Sequence, residues 1–140
     1  MTIDSTKSWK LTSVNSMSQQ EKDRLLNHEQ GHYNLVALLA RDMFLELMQV
    51  KAVRTSTPEA AAKLCTDIQT RYMNITQPLQ DLYDSKTETD HGRTAAKQTK
   101  WDGFINTAFT QARVPQISAP DGKLYKEEIL SVLRNNGISI

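Results

Sequence analysis

The sequence predicts a single domain of the α+β class that is mainly helical, and three observations lead to this prediction. A chain of 140 residues has the usual size of one domain and can bury a core without disulfides. Apolar residues recur at helical spacing through most of the chain. Only residues 8–14 alternate with a period of two, which indicates a short strand. We expect further short strands at 114–118 and 138–140, and one domain over 1–140.

Composition and charge exclude several classes of protein. With 39% hydrophobic and 24% charged residues, the chain is neither disordered nor of low complexity. Seventeen basic and 16 acidic residues give a net charge of +1, so we expect no nucleic-acid partner. The single cysteine, Cys65, excludes a disulfide scaffold. The longest apolar run, Leu35 to Ala40, is too short to span a membrane, and no signal peptide is visible.

The first predicted helix is long and begins at a capping box. Ser18 and Glu21 have the spacing at which the serine covers an orphan amide and the glutamate reaches back. Apolar residues then follow at intervals of three and four as far as about Val53. This pattern predicts one long helix from Ser18 to about Val53.

A second helix is predicted to begin at Thr57 and Pro58, with the threonine as its cap and the proline in its first position. Its apolar stripe continues to about Tyr83. Pro78 lies inside this stripe and lacks an amide donor, so we expect a kink or a break near Thr76.

The remaining chain contains a polar loop and two shorter helices. Residues 84–92 are polar and predict a loop. A third helix is expected from Arg93 to Ala112. A last helix is expected from Leu124 to Asn135, where Gly137 ends it.

The first helix carries the sequence His28-Glu29-Gln30-Gly31-His32, which is an HExxH motif. Residues four apart lie on the same helical face, so both imidazoles can bind one metal ion. The glutamate beside the first histidine can accept a proton from a water at that ion. The motif therefore predicts a zinc site with His28 and His32 as ligands and Glu29 as the base. A solvated helix face is the alternative interpretation.

Catalytic zinc needs a third protein ligand and one open position. Asp42 and Glu46, farther along the same helix, would lie about 15 and 21 Å from His32 along the axis, which is out of reach. The remaining histidine, His91, lies in the polar loop that opens the third helix. We therefore predict His91 as the third ligand, with an ordinary exposed loop histidine as the alternative.

Several residues near these ligands are candidates for support of the site. Asp84 and Asp90 could fix the tautomer of a ligand histidine. Tyr33 and Arg93 adjoin ligands in the sequence and could stabilise an oxyanion. Gly31, in the middle of a helix, would be explained by a close-packed neighbour near the metal.

Two further tyrosines, Tyr72 and Tyr83, could also polarise a carbonyl. Both fall on the apolar stripe of the second helix, so we expect them to pack in the core.

These motifs resemble a known family. The residues that carry the resemblance are Ser8-Trp9, Asn27-His28-Glu29-Gln30-Gly31-His32-Tyr33, Tyr83-Asp84, Thr89-Asp90-His91-Gly92 and Trp101. Together they are similar to the DUF922 family of predicted bacterial secreted zinc-dependent proteases, over about residues 8–106. The resemblance implies a minimal zincin-like metallopeptidase domain and a secreted or periplasmic location. It leaves residues 113–140 without a counterpart.

The function expected from the sequence is zinc-dependent hydrolysis of a peptide or protein substrate. An extended substrate could add to the edge of the strand predicted at Trp9 to Val14. Two alternatives stay open at this point: a non-catalytic zinc-binding domain and a metal-free helical module for protein interaction.

Overall fold

A computed structural model of the protein describes residues 12–50, 54–110 and 128–140. A 3₁₀ turn is followed by four α-helices in this part of the chain. Their bounds are Thr12–Ser16 for the 3₁₀ turn, Gln19–Val50 for α1, Pro58–Asp84 for α2, Ala95–Thr110 for α3 and Glu128–Asn135 for α4. None of these helices is both long and apolar enough to cross a membrane.

The expectation of an α+β fold is wrong, because the residues that the structure describes form helices and turns and contain no strand. Residues 12–14 belong to the 3₁₀ turn, so the proposed edge strand for substrate is wrong there as well. The rest of that segment, and the strand expected at 114–118, lie outside the described residues.

Local hydrogen bonds explain why residues 12–14, the described end of the alternating pattern, do not form a strand. Ser16 Oγ donates to the carbonyl of Ser13 at 2.8 Å, and the Met17 amide donates to Val14 O at 3.3 Å. Serine side chains that bond the backbone in this way favour turns over ladders. A period of two over a few residues is too weak a signal to outweigh such bonds.

The C-terminal strand expected at 138–140 is replaced by the end of a helix. The amides of Gly137 and Ile138 donate to the carbonyls of Arg134 and Leu133, both at 3.0 Å. Gly137 has a φ of +80°, the left-handed conformation that closes a helix. This closure turns Ile138 back into the core, where it is buried.

The predicted caps of α1 and α2 are confirmed. Ser18 N donates to Glu21 Oε2 at 2.8 Å, and Glu21 N donates to Ser18 Oγ at 3.3 Å. Ser18 Oγ also donates to Glu21 Oε2 at 2.7 Å, and the two hydrogen bonds from Ser18 to this carboxylate lower the pKa of Glu21. At α2, Ala60 N donates to Thr57 Oγ1 at 3.2 Å, and Pro58 holds the first helical position.

The second helix does not break at its internal proline. α2 continues through Pro78 to Asp84 as one helix of 27 residues, without the break expected near Thr76. The amide that proline lacks would have bonded to the carbonyl of Asn74. Because Asn74 and Pro78 are both exposed, water can satisfy that carbonyl at little cost.

Helix α1 is the centre of the fold and contacts each of the other three helices. α1 and α2 run antiparallel, since residues early in α1 bond to residues late in α2. The core between the helices is built from aliphatic and aromatic side chains. Its buried members include Leu35, Leu38, Leu39, Tyr72, Leu79, Tyr83, Trp101, Ile105, Ala108, Ile129 and Leu133. Tyr72 and Tyr83 thus pack in the core as predicted.

Charged side chains of α1 hold the start of α4. Asp42, fully buried, accepts a hydrogen bond from the amide of Ile129 at 3.1 Å and so caps that helix from outside. Arg41 donates to Glu128 Oε2 at 3.2 Å and to the carbonyl of Ala108 at 3.2 Å. Paired in this way, the charges avoid the cost of burying them alone.

Candidate metal centre

Three side chains meet where the end of α2 packs against the first half of α1. His28 Nε2 lies 2.9 Å from Asp84 Oδ1, and His32 Nε2 lies 2.8 Å from the same oxygen. The two Nε2 atoms are 3.2 Å apart. The helical spacing of the motif brings the imidazoles together, and the antiparallel packing of α2 adds the carboxylate. His28, His32 and Asp84 thus form a group that can hold a metal ion.

The orientation of His28 is fixed from behind by Gln98 of α3. Gln98 Nε2 donates to Tyr83 Oη at 2.6 Å and to Asp102 Oδ1 at 2.8 Å. Its Oε1, which can only accept, therefore faces His28 Nδ1 at 3.1 Å. It follows that His28 Nδ1 carries the proton, and that Nε2 of the neutral ring presents a lone pair.

His32 is arranged in the same way by a second glutamine. Its Nδ1 contacts Gln80 Oε1, and its Nε2 faces Asp84. With the amide in this orientation, the proton of His32 also lies on Nδ1. Gln80 Nε2 is buried and has no hydrogen-bond partner in the described part of the chain.

These assignments bring three electron-pair donors together without a proton between them. Two imidazole lone pairs and a carboxylate oxygen repel one another at separations of 2.8 to 3.2 Å unless a cation is present. The repulsion is relieved by a metal ion, by an added proton on one ring, or by a turn of the Gln80 amide that moves the proton of His32 to Nε2. Hydrogen bonds from the remote ring nitrogen to an acceptor are also the usual support of metal-binding histidines.

The three donors fit zinc in type and nearly fit it in spacing. Zinc binds imidazole nitrogen and carboxylate oxygen at about 2.0–2.2 Å, so tetrahedral ligand atoms lie about 3.3 Å from one another. The observed separations are shorter by about 0.1 to 0.5 Å, so the donors would move apart slightly around the ion. Two histidines and one carboxylate also match a catalytic zinc site, in which a fourth position stays open.

The rear wall of the site is the aromatic ring of Tyr83. This ring stacks on His28 with centroids 4.7 Å apart and meets His32 edge-on at 4.9 Å. Burial raises the pKa of Tyr83 to about 12, and the nearby carboxylates of Asp102, Asp84 and Glu29 add to this. Tyr83 therefore stays a neutral hydrogen-bonding phenol.

Gly31 makes room for that phenol. A Cβ at position 31 would lie 2.1 Å from Tyr83 Oη, which no ordinary contact allows. The Tyr83 hydroxyl donates instead to the carbonyl of His28 at 3.3 Å. The close-packed neighbour expected beside Gly31 is therefore Tyr83.

The loop that carries His91 closes over the other side of His28. Asp90, His91 and Gly92 all have positive φ angles, of 47°, 53° and 77°. A Cβ at Gly92 would lie 2.9 Å from His28 Cβ, so only glycine fits there without a shift. Two consecutive non-glycine residues in this conformation indicate a turn that the surrounding contacts hold in a strained shape.

The structure places His91 next to the metal group and outside it. His91 Nδ1 is 3.6 Å from Asp84 Oδ1, and the side chain is 58% exposed. Asp84, considered from the sequence as a support, lies in the position expected of the third ligand. Asp90 is half-buried and pairs with Arg93 at 3.7 Å, and the Arg93 side chain is exposed.

Glu29 is exposed beside the histidine pair. In the part of the chain that the structure describes, its carboxylate makes no hydrogen bond or ion pair, so it is available to a reacting molecule. On an α-helix it lies about 100° round the axis from His28 and about 60° from His32. Tyr33, one turn farther along, is also exposed and points away from the ligands' buried side.

Three residues of the site were missed by reasoning from the sequence: Gln80, Gln98 and Asp102. Gln98 is a polar residue on the buried stripe of α3, with Trp101, Ile105 and Ala108. A glutamine at such a position must find partners when it is buried, and this was the available signal. Gln80 and Asp102 are half-buried and carry no comparable signal.

Comparisons with protein-family models, with curated proteins and with solved structures returned no match. The motif residues and the geometry of the site therefore carry the functional interpretation.

Proposed function

We propose that this protein is a zinc-dependent metallopeptidase, in which His28, His32 and Asp84 hold the ion and Glu29 is the general base. One observation carries the proposal: two imidazoles and a carboxylate converge, and Gln98 holds His28 in the metal-binding tautomer. The HExxH motif that supplies two of these donors is the second support.

The residues of the site divide the chemistry between them. Zinc, when bound, supplies a Lewis acid that polarises a carbonyl and makes water more acidic. Glu29, exposed and without a partner among the described residues, accepts a proton from water and passes it to the leaving amine. Tyr83 excludes water from the rear of His28 and keeps both rings in place.

An exposed apolar strip beside Glu29 supports a peptide or protein substrate. Leu26, Tyr33 and Val36 are 68%, 55% and 44% exposed, and their spacing puts them on the same side of α1 as Glu29. Apolar side chains of a substrate can pack on this strip while the backbone passes the base. The resemblance to secreted zinc-dependent proteases of the DUF922 family agrees with this substrate class and with a secreted or periplasmic location.

Asp84 and His91 are the two candidates for the third zinc ligand. Asp84 touches both histidines, whereas His91 is 3.6 Å from Asp84 and mostly exposed. We assign the ligand role to Asp84. His91 then lies beside the open side of the site, where it can hydrogen-bond Asp84 or a substrate carbonyl.

Zinc content and turnover test these assignments together. The protein is purified without chelator, and zinc is measured per chain in the wild type, Asp84→Ala and His91→Ala. We expect near-stoichiometric zinc in the wild type and in His91→Ala, and a sharp loss in Asp84→Ala. Zinc lost only in His91→Ala would move the third ligand to the loop histidine.

Glu29→Gln separates catalysis from zinc binding. This variant keeps a side chain of the same size and is expected to retain zinc while peptide hydrolysis falls by about 10²-fold or more. A wild type that binds zinc and cleaves no protein or peptide in a broad substrate panel would favour a non-catalytic zinc-binding domain.

The same apolar strip also favours a second candidate, a metal-free helical module for protein interaction. Together with Phe44, which is 48% exposed, it leaves one side of α1 apolar and accessible. Such a module would contain no zinc after purification, and a chelator would not change its melting temperature.

A further inference from the structure

We propose that Asp102, acting through Gln98, is a positioning residue that fixes the tautomer of His28 and so prepares the site for zinc. The inference rests on the proposed zinc site, since its consequence for affinity requires the ion. The tautomer itself is a property of the zinc-free protein and can be measured without it.

A continuous chain of hydrogen bonds links the two residues. Asp102 Oδ1 accepts from Gln98 Nε2 at 2.8 Å, and Gln98 Oε1 faces His28 Nδ1 at 3.1 Å. The other carboxylate oxygen, Asp102 Oδ2, accepts from Asn27 Nδ2 at 3.1 Å. In the described residues, both partners of Asp102 are neutral amides and no cation pairs with it.

Asp102 is the partner that determines which way the amide of Gln98 points. The other partner, the hydroxyl of Tyr83, can both donate and accept, so it tolerates either orientation of the amide. A carboxylate only accepts. A reversed amide would put Gln98 Oε1 against Asp102 Oδ1 at about hydrogen-bond distance with no proton between them.

The orientation of the amide in turn decides where the proton of His28 lies. With Oε1 toward the ring, Nδ1 must donate and Nε2 is free to bind zinc. With Nε2 of Gln98 toward the ring, Nδ1 must accept, and the proton of His28 moves to the atom that faces Asp84. Zinc binding would then have to displace that proton and turn the amide, which weakens binding.

The position of Asp102 allows this residue to be changed without loss of the fold. Its side chain is half-buried in the wall of a cleft of about 320 Å³ between the first turns of α1 and α3. Gln98 and Gly92 lie in the same wall. Water from the cleft can occupy the space that a smaller side chain leaves.

The test compares Asp102→Asn and Asp102→Ala with the wild type. The amide of asparagine can turn and either accept or donate, and alanine does neither, so both variants remove the partner of Gln98 that can only accept. The first readout is the pair of ¹⁵N shifts of the His28 ring in zinc-free protein, under mildly alkaline conditions where free imidazole is neutral. The second readout is the zinc dissociation constant, measured by competition with a chelator. Asp23→Ala is the matched control, because Asp23 lines the same cleft and accepts from Gln19 at 2.7 Å.

The expected results follow from the chain of hydrogen bonds that runs from Asp102 through Gln98 to His28. The wild type should show the proton of His28 on Nδ1, and Asp102→Asn, whose amide can turn, should show both tautomers. Asp102→Ala should place the proton of His28 mainly on Nε2, where it can donate to Asp84, and should bind zinc about 10-fold more weakly, the loss expected when about nine tenths of the protein holds that tautomer. Asp23→Ala, which removes the same charge from the same cleft, should leave the tautomer unchanged and shift affinity by less than about threefold.

Two outcomes would overturn the inference. One is a wild-type His28 with its proton on Nε2, and the other is an Asp102→Ala protein with an unchanged tautomer. If the tautomer shifts as expected and no form of the protein binds zinc, Asp102 does fix the tautomer of His28 through Gln98, and the proposed zinc-dependent function is wrong.

Discussion

The two histidines of the motif both contact Asp84, and each has a glutamine oxygen beside its Nδ1. The surroundings of the two rings nevertheless differ. His28 is 1% exposed, stacks on Tyr83 and bonds to a glutamine whose amide is held by two further partners. His32 is 22% exposed and contacts Gln80, whose own amide nitrogen is buried without a partner in the described residues. The orientation of His28 is therefore fixed by its neighbours, whereas that of His32 can still adjust.

In the proposed zinc site, this difference would combine one preorganised ligand with one adjustable ligand. A fully fixed site loses little entropy on binding, whereas an adjustable ligand lets the ion enter and leave. In the zinc-free state, turning the Gln80 amide would let His32 donate from Nε2 to Asp84. The same movement is opposed at His28 by Asp102 and Gln98.

The largest expected effect comes from removing the imidazole ring of each histidine in turn. In zinc-stripped protein, His28→Ala should lower the free energy of unfolding by about 3 kcal/mol, because a buried, stacked and hydrogen-bonded ring is lost. His32→Ala should cost about 1 kcal/mol or less, since that ring is partly exposed. Urea unfolding measures both, and equal costs would mean that the two rings are supported alike.

A second test uses the phenol behind His28. The pKa of Tyr83 is raised to about 12 from 10.0, so the folded state keeps its proton where the unfolded state has lost it. This contribution is fully present below pH 10 and is lost as the pH rises to about 12, and it amounts to roughly 2–3 kcal/mol. Unfolding of zinc-free protein across this range should show the loss, and Tyr83→Phe should lack that component.

The smallest effect is expected from a change at Gln80. Gln80→Glu removes the unpaired amide nitrogen and gives His32 Nδ1 an acceptor that cannot turn into a donor. We expect zinc to bind about threefold to tenfold more tightly in this variant. Gln77→Glu places the same charge on an exposed site of α2 and is the control. Equal affinity in both variants would show that His32 was already as fixed as His28.

Local signals in the sequence were enough for most of the helices. The caps at Ser18 and Thr57 and the closing glycine at Gly137 depend on neighbouring residues only, and all three are confirmed. A kink or a break was expected near Thr76, and no break occurs there, because the cost of a proline depends on whether the freed carbonyl reaches water. That exposure is set by tertiary packing, which a single sequence does not reveal.

In the group of His28, His32 and Asp84, the part set by local sequence could be predicted and the part set by tertiary packing could not. The histidine pair of the motif lies on one helix, so its geometry follows from helical spacing. The third member, Asp84, comes from another helix, and its place depends on the antiparallel register of α1 and α2. Asp42 and Glu46 lie too far along α1 to reach the ion, and the sequence therefore predicts His91 as the third ligand. In the structure, His91 lies beside Asp84, with Nδ1 3.6 Å from Asp84 Oδ1. Gln98 and Asp102 depend on the packing of α3 as well.

The contact between Gly31 and Tyr83 also limits how this sequence can vary. A methyl group at position 31 and a hydroxyl at position 83 compete for the same space. A relative that carries alanine at the first position should therefore carry a smaller or shifted residue at the second, and would lose the phenol beside Gln98. The two positions should change together through descent, so their covariation would reveal which relatives retain this arrangement behind the first histidine.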